Sequence, residues 1–108
     1  MTNTALVHRY LEAWNTGDLD AFDALIAPDY VNHSPGLPDP QPGPEGLKPI
    51  VAAMRRDTPD LRFELLRIVD GGDHVCVHTR VHPFNALQMQ IERIHDDQIA
   101  EHWRVTQP

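Results

Sequence analysis

The hydrophobic pattern of this chain changes period once, and that change limits the fold more than any other feature. Before Thr58 the apolar residues recur at helical spacing; after Asp60 they alternate, as strands do. Val7, Tyr10, Leu11 and Trp14 fall at i, i+3, i+4 and i+7, one apolar stripe on a first helix. Gly17 stands where a left-handed C-terminal cap belongs. Asp18 is placed to cap a second short helix carrying Leu19, Phe22, Leu25 and Ile26, with Pro28 as its stop. Leu47, Ile50, Val51 and Met54 make a third stripe, which tolerates Pro49 only in its first turn. Thr58-Pro59-Asp60 ends it.

Beyond that point Leu61, Phe63 and Leu65 alternate, then give way to Leu66 and Ile68, a phase change that a bulge near Leu65 absorbs. Asp70-Gly71-Gly72-Asp73 reads as a hairpin turn. Val75, Val77, Thr79 and Val81 form one face of the next strand, and Cys76, His78, Arg80 and His82 the other. Pro83 to Ala86 leads into a strand where Leu87, Met89 and Ile91 alternate with Gln88, Gln90 and Glu92. Asp96-Asp97 turns the chain into a last strand, Gln98 to Thr106. Asp29 to His33 is a short extended stretch. Ser34 to Pro44, with five prolines in eleven residues, reads as a semi-rigid loop. The expected fold is α+β: three N-terminal helices packed on one side of a curved, mainly antiparallel sheet, as one domain spanning residues 1–108.

Charge narrows the partners. Nine Lys and Arg stand against sixteen Asp and Glu, a net charge of -7, so neither nucleic acid nor an anionic membrane is an expected partner. No apolar run reaches membrane-spanning length and no secretory signal opens the sequence, so the expected location is cytoplasmic. The single cysteine, Cys76, excludes an internal disulfide and any paired-cysteine metal framework. A domain this small buries a modest share of its surface, which favours a homodimer.

Three stretches carry a family resemblance. The first helix ends Ala13-Trp14-Asn15-Thr16-Gly17-Asp18-Leu19-Asp20, the extended stretch runs Val31-Asn32-His33-Ser34-Pro35, and the last strand reads Ile99-Ala100-Glu101-His102-Trp103-Arg104-Val105-Thr106-Gln107-Pro108. With the element order, these resemble the SnoaL-like polyketide cyclases of the nuclear transport factor 2-like superfamily. The resemblance covers nearly the whole chain. It implies a cone-shaped α+β barrel, an apolar pocket between sheet and helices, and usually a homodimer. It also implies ring closure by intramolecular aldol chemistry without metal or organic cofactor. In that family a carboxylate directly after the closing Trp acts as acid/base, with a His or Asp often fourteen positions earlier. Residues near the end of the first helix and in the Asn/His stretch help hold substrate. This chain has Arg104 after Trp103 and Gln90 fourteen positions earlier. Arginine is no general base at neutral pH, so the family's cyclase mechanism does not transfer at its central residue.

The residues themselves suggest other roles. In simple register the even-numbered Cys76, His78, Arg80, Gln88, Gln90, Glu92, His102 and Arg104 share one face of the sheet. Val75, Val77, Met89, Ile91, Ile99, Trp103 and Val105 share the other. His33 and His102 are the candidate proton carriers, and Gln90 and Arg104 the candidate donors to a carbonyl or carboxylate of the ligand and to a developing oxyanion. His33 serves equally to pack the loop onto the sheet rim. Tyr10, Trp14, His78, Arg80, Glu92 and Trp103 are candidate substrate contacts. Glu92 and Arg104 are placed to pair across strands, and Glu101, pointing away from His102, to partner an arginine. His74, His78 and His82 recur every fourth residue, but on a strand neighbours in that series lie about 13 Å apart, too far for one metal ion. Two functions remain. One is a cofactor-free acid/base enzyme of cyclase, isomerase or hydrolase type, acting on a small apolar carbonyl compound in an enclosed pocket. The other is a non-catalytic small-molecule-binding or dimerisation module. The apolar residues of the last three strands mark a sheet face as the dimer contact.

Overall fold

Helix α1 (Asn3–Thr16) starts where Thr2 Oγ1 accepts the Ala5 backbone N–H at 3.1 Å. It ends where Gly17, at φ 73°, turns its own N–H onto the Ala13 carbonyl. The computed structural model describes residues 1–34 and 40–107. A 3-10 turn (Leu19–Ala21) and the single-turn helix α2 (Phe22–Leu25) follow, then strand β1 (Ile26–Asn32) and helix α3 (Pro44–Asp57). Strands β2 (Arg62–Asp70), β3 (His74–His82), β4 (Ala86–His95) and β5 (Gln98–Gln107) complete the chain. The sheet order is β1-β5-β4-β3-β2, open at both edges, with β2 to β5 antiparallel and β1 parallel to β5.

Several local expectations need correction. The Asp18 side chain makes no capping hydrogen bond. The second helix stops at Leu25, and Ile26 already begins a fifth strand, so Pro28 lies inside β1 rather than ending a helix. Proline is tolerated because β1 is an edge strand and Pro28 falls in the register gap between Ile26 and Val31. Pro44 occupies the first turn of α3, which leaves Pro49 in the second, exposed, where it removes one helical hydrogen bond. Part of the loop expected over Ser34 to Pro44 lies outside the described residues. The bulge expected near Leu65 is present, between Leu65 and Arg67.

The core lies between the helices and one face of the sheet. Phe22, Leu6, Val7, Ile26, Val51, Val75 and Ile99 are fully buried, each contributing about 1.5–3 kcal/mol of apolar transfer. Trp14 meets Phe63 edge-on, with ring centroids 5.1 Å apart. Two polar ties fix the end of α1 against the sheet. The Asn15 side chain donates to the Phe63 carbonyl at 3.0 Å and accepts the Phe63 N–H at 2.7 Å, as a paired strand would. The Arg55 guanidinium donates to the carbonyls of Trp14, Leu61 and Pro59. Gly46 lets α3 approach the preceding loop, since a Cβ there would lie 1.7 Å from the Gln41 carbonyl oxygen.

Register overturns the simple division of the sheet into two faces. Val77 stands opposite Gln90 and His78 opposite Met89, so odd residues of β3 share a face with even residues of β4. Between β4 and β5 the parity holds: Gln90 pairs with Arg104 and Glu92 with His102. The inner face therefore carries Val75, Val77, Thr79 and Val81 beside Gln88, Gln90, Glu92, His102 and Arg104. The outer face carries Cys76, His78 and Arg80 beside Met89, Ile91, Trp103 and Val105. On β4 the usual pattern is inverted: Gln90 and Glu92 are buried while Met89 and Ile91 are each 41% exposed.

Candidate active site

The inverted strand β4 and its neighbour β5 build the polar floor of a cavity beneath the helices. Gln90, His102 and Arg104 line it from the sheet, with Gln88 and Asn32 beside them. Tyr10, Leu11 and Trp14 of α1, Leu47 and Ile50 of α3, and Phe63 of β2 supply the apolar wall. Asn32, Gln88 and Arg104 are half-buried and form the mouth; Tyr10, Trp14, Gln90 and His102 are buried behind them. The cavity volume is about 10 Å³, room for one water molecule.

The deepest feature is a buried acid–imidazole pair. Glu92 Oε1 lies 2.6 Å from His102 Nδ1, with the two residues 0% and 3% exposed. Burial pushes the Glu92 carboxyl above its ordinary value, and the opposing pull of His102 and Arg104 does not cancel it. Glu92 Oε2 has no protein hydrogen-bond partner among the described residues. Burial, and then the Glu92 charge, raises the Tyr10 hydroxyl far above the usual phenol range. The expected Glu92–Arg104 pair is thus replaced by Glu92–His102, because the bulge between Arg93 and Ile94 sets these two opposite each other.

Arg104 is held by the chain that leaves β1. Its Nη2 donates to the Ser34 carbonyl at 2.6 Å, and its backbone N–H donates to Ser34 Oγ at 3.1 Å. Asn32 Oδ1 accepts the Ser34 N–H, and the His33 N–H donates to the His102 carbonyl. Gln90 donates to Gln88 Oε1 at 3.0 Å.

Of the ten sequence-derived candidates, the cavity gathers Tyr10, Trp14, Gln90, His102 and Arg104, with Glu92 behind His102. Four lie elsewhere. His33 is on the outer side, stacked on Trp103 at 4.8 Å and 2.7 Å from Glu101 Oε2. Trp103 is part of that stack and not of the cavity wall. His78 faces outward beside Arg67, and Arg80 outward beside Asn85 and Glu64. Glu101 does partner an arginine, Arg93. The residues alone did not single out Gln88, Asn32, Ser34, Leu11, Leu47, Ile50 or Phe63 as site residues, although the resemblance pointed to the Asn/His stretch that holds Asn32 and Ser34. The helix stripes and strand alternation marked Leu11, Leu47, Ile50 and Phe63 as core, and a core wall here is also a cavity wall.

Comparison with known proteins agrees with this architecture. No curated protein matches the sequence. The structure superposes on IdmH of Streptomyces antibioticus, a candidate polyketide cyclase, with a TM-score of 0.83 at 25% identity, covering 98% of this chain and 92% of that one. TsrD of Streptomyces laurentii gives 0.75 at 26% identity, covering 95% and 86%. A SnoaL-like protein of unknown function from Burkholderia thailandensis gives 0.81 at 21% identity, covering 100% and 99%, a likeness of fold. The SnoaL-like domain model matches residues 7–106. With that match spanning helices, sheet and cavity alike, the chain belongs to the SnoaL-like domain family.

Proposed function

We propose that the protein is a cofactor-independent acid/base catalyst acting on a small, largely apolar carbonyl compound. The observation that carries this reading is the Glu92–His102 pair at the cavity floor. Glu92 Oε1 holds the Nδ1–H of His102, which orients the ring and leaves Nε2 as the proton carrier. Nε2 removes a proton from the carbon beside the carbonyl. Arg104 and Gln90 donate to the oxygen as it becomes an enolate. Return of the proton from Nε2 to a different carbon completes an isomerisation. Attack of the enolate carbon on a second carbonyl closes a ring, and Nε2 gives its proton to the new alkoxide. The cavity has room for one water molecule, so binding a carbonyl compound requires its lining to move apart.

The test is deuterium exchange beside the carbonyl of a panel of aryl ketones and 1,3-diketones in D₂O, followed by NMR. Wild type should exchange at least one member well above buffer. His102→Gln should abolish that exchange while the circular dichroism spectrum is retained, and Glu92→Gln should lower it about 10²-fold or more. Undiminished exchange in His102→Gln refutes the mechanism. No exchange across the panel favours the non-catalytic alternative.

The outer sheet face favours self-association on the same fold. Val69, Met89, Ile91 and Val105 are 63%, 41%, 41% and 70% exposed, an apolar strip that runs from edge strand β2 across to β5. At one end Glu64 pairs with His82 and Arg80; at the other Glu101 pairs with His33 and Arg93. The apolar residues between these paired rims suit contact with a second copy, with Arg67 beside His78 as a charge on this face that has no acidic partner among the described residues.

A further inference from the structure

The cavity is richer in donors than its own residues use. The Arg104 guanidinium has five N–H groups, and one side-chain hydrogen bond, to the Ser34 carbonyl, is present among the described residues. No carboxylate among those residues lies within 4.0 Å of it, in a chain with sixteen Asp and Glu. Arg56, Arg80 and Arg93 each have an acidic partner, while Arg9, Arg55, Arg62 and Arg67, like Arg104, have none among the described residues; of these, Arg104 lines the cavity. Glu92, the inner-face carboxylate, gives Oε1 to His102 instead. Among the described residues most of the fork of this half-buried guanidinium is therefore unfilled, and Gln90 sits opposite it in register. Trp14, Leu47, Ile50 and Phe63 line the same cavity.

We infer that the ligand of this cavity is a small amphipathic monoanion: an apolar ring or chain bearing one carboxylate or one 1,3-dicarbonyl enolate, whose oxygens seat on Arg104. The inference rests on the reading of this cavity as the ligand site. A planar guanidinium matches two anionic oxygens in a way that a neutral ketone or ester, with one acceptor, does not. Partial burial strengthens that charge-assisted pairing relative to water. A carboxylate at position 104, as the family resemblance implies, would repel such a ligand; arginine there reverses the sign of the site.

The experiment is an NMR titration of the ¹⁵N-labelled full chain at pH 7 with three probes of similar size. Benzoate supplies a carboxylate, cyclohexane-1,3-dione an enolate at that pH, and benzamide a neutral isostere. Benzoate or the dione should bind at least tenfold more tightly than benzamide, shifting the amides of Gln90 and Arg104, and the tighter of the two identifies the anionic group. Arg104→Gln should erase the preference with the amide spectrum otherwise preserved. Arg104→Lys should keep part of it, as a point charge without the fork. Equal affinities for all three probes, no binding of any, or a preference that survives Arg104→Gln overturns the inference. Anion preference without ketone exchange leaves this inference standing and removes the acid/base reading; His102-dependent exchange without anion preference does the reverse.

Discussion

Replacing Asn15 by alanine tests how the roof of the cavity is held. Asn15 closes two hydrogen bonds to one residue, 3.0 Å to the Phe63 carbonyl and 2.7 Å from the Phe63 N–H. Phe63 belongs to edge strand β2, so these groups have no strand partner on that side. Each bond contributes about 1 kcal/mol net, and stranding a half-buried N–H adds to the loss, so Asn15→Ala should destabilise by about 2–3 kcal/mol. For a domain of this size that is a fall of about 10–15 °C in Tm. Urea unfolding followed by circular dichroism measures it, with an unchanged m-value as the sign that the folded state alone is affected. Asn15→Asp is the internal control: it can still accept the Phe63 N–H but sets an acceptor against the Phe63 carbonyl, and should recover no more than half the loss. An Asn15→Ala loss below about 0.5 kcal/mol would refute the view that this amide works as a surrogate strand.

Three further outcomes follow from the same structure. Gly46→Ala should cost about 3 kcal/mol or more, read as lost soluble yield or Tm, because its Cβ meets backbone rather than a yielding side chain. Glu101 and Glu92 should shape acid stability in opposite directions. Hydrogen bonds from His33 and then Arg93 hold the Glu101 carboxyl below its ordinary 4.5, so its contribution is present above that pH and lost as pH falls through the lowered value. Glu101→Gln should therefore lose stability at pH 7 and converge on wild type in acid. Burial raises Glu92, so the folded state binds the extra proton and wild-type stability relative to Glu92→Gln should decline as pH rises above 4.5. Ile91→Asp with Val105→Asp should shift sedimentation at micromolar concentration from dimer to monomer without loss of fold; a monomeric wild type contradicts the proposed contact.

The helical half of the molecule was largely legible in the sequence because period and caps are local. Val7, Tyr10, Leu11 and Trp14 face the core as their spacing requires, and Gly17 ends the helix by its positive φ. The sheet was legible as strands but not as faces. Val75 and Val77 resemble Met89 and Ile91 in sequence, yet register sets them on opposite sides. The four-residue connection between Val81 and Ala86 places odd residues opposite even ones. The two positive-φ aspartates, Asp96 and Asp97, would do the same for β4 and β5, but a bulge restores the parity. His78 and Arg80 leave the site for that reason. His33 leaves it because Asn32, one residue earlier, takes the inward position opposite His102. What the residue pattern did announce was the anomaly itself: Gln90 and Glu92 alternating with Met89 and Ile91 required one face of the sheet to hide polar groups or to expose apolar ones, and β4 does both.

The three carbonyls gathered by Arg55 have a consequence for how anything reaches His102. One guanidinium fastens the last turn of α1, the descent from α3 and the start of β2. Three hydrogen bonds from one side chain tie that corner, so lifting α1 there to uncover Trp14 and Phe63 would cost all of them. At the sheet side of the cavity Ser34 holds Arg104 through its hydroxyl and its carbonyl. Under the proposed function, breaking the Ser34–Arg104 contacts is the step expected to limit how fast the cavity fills.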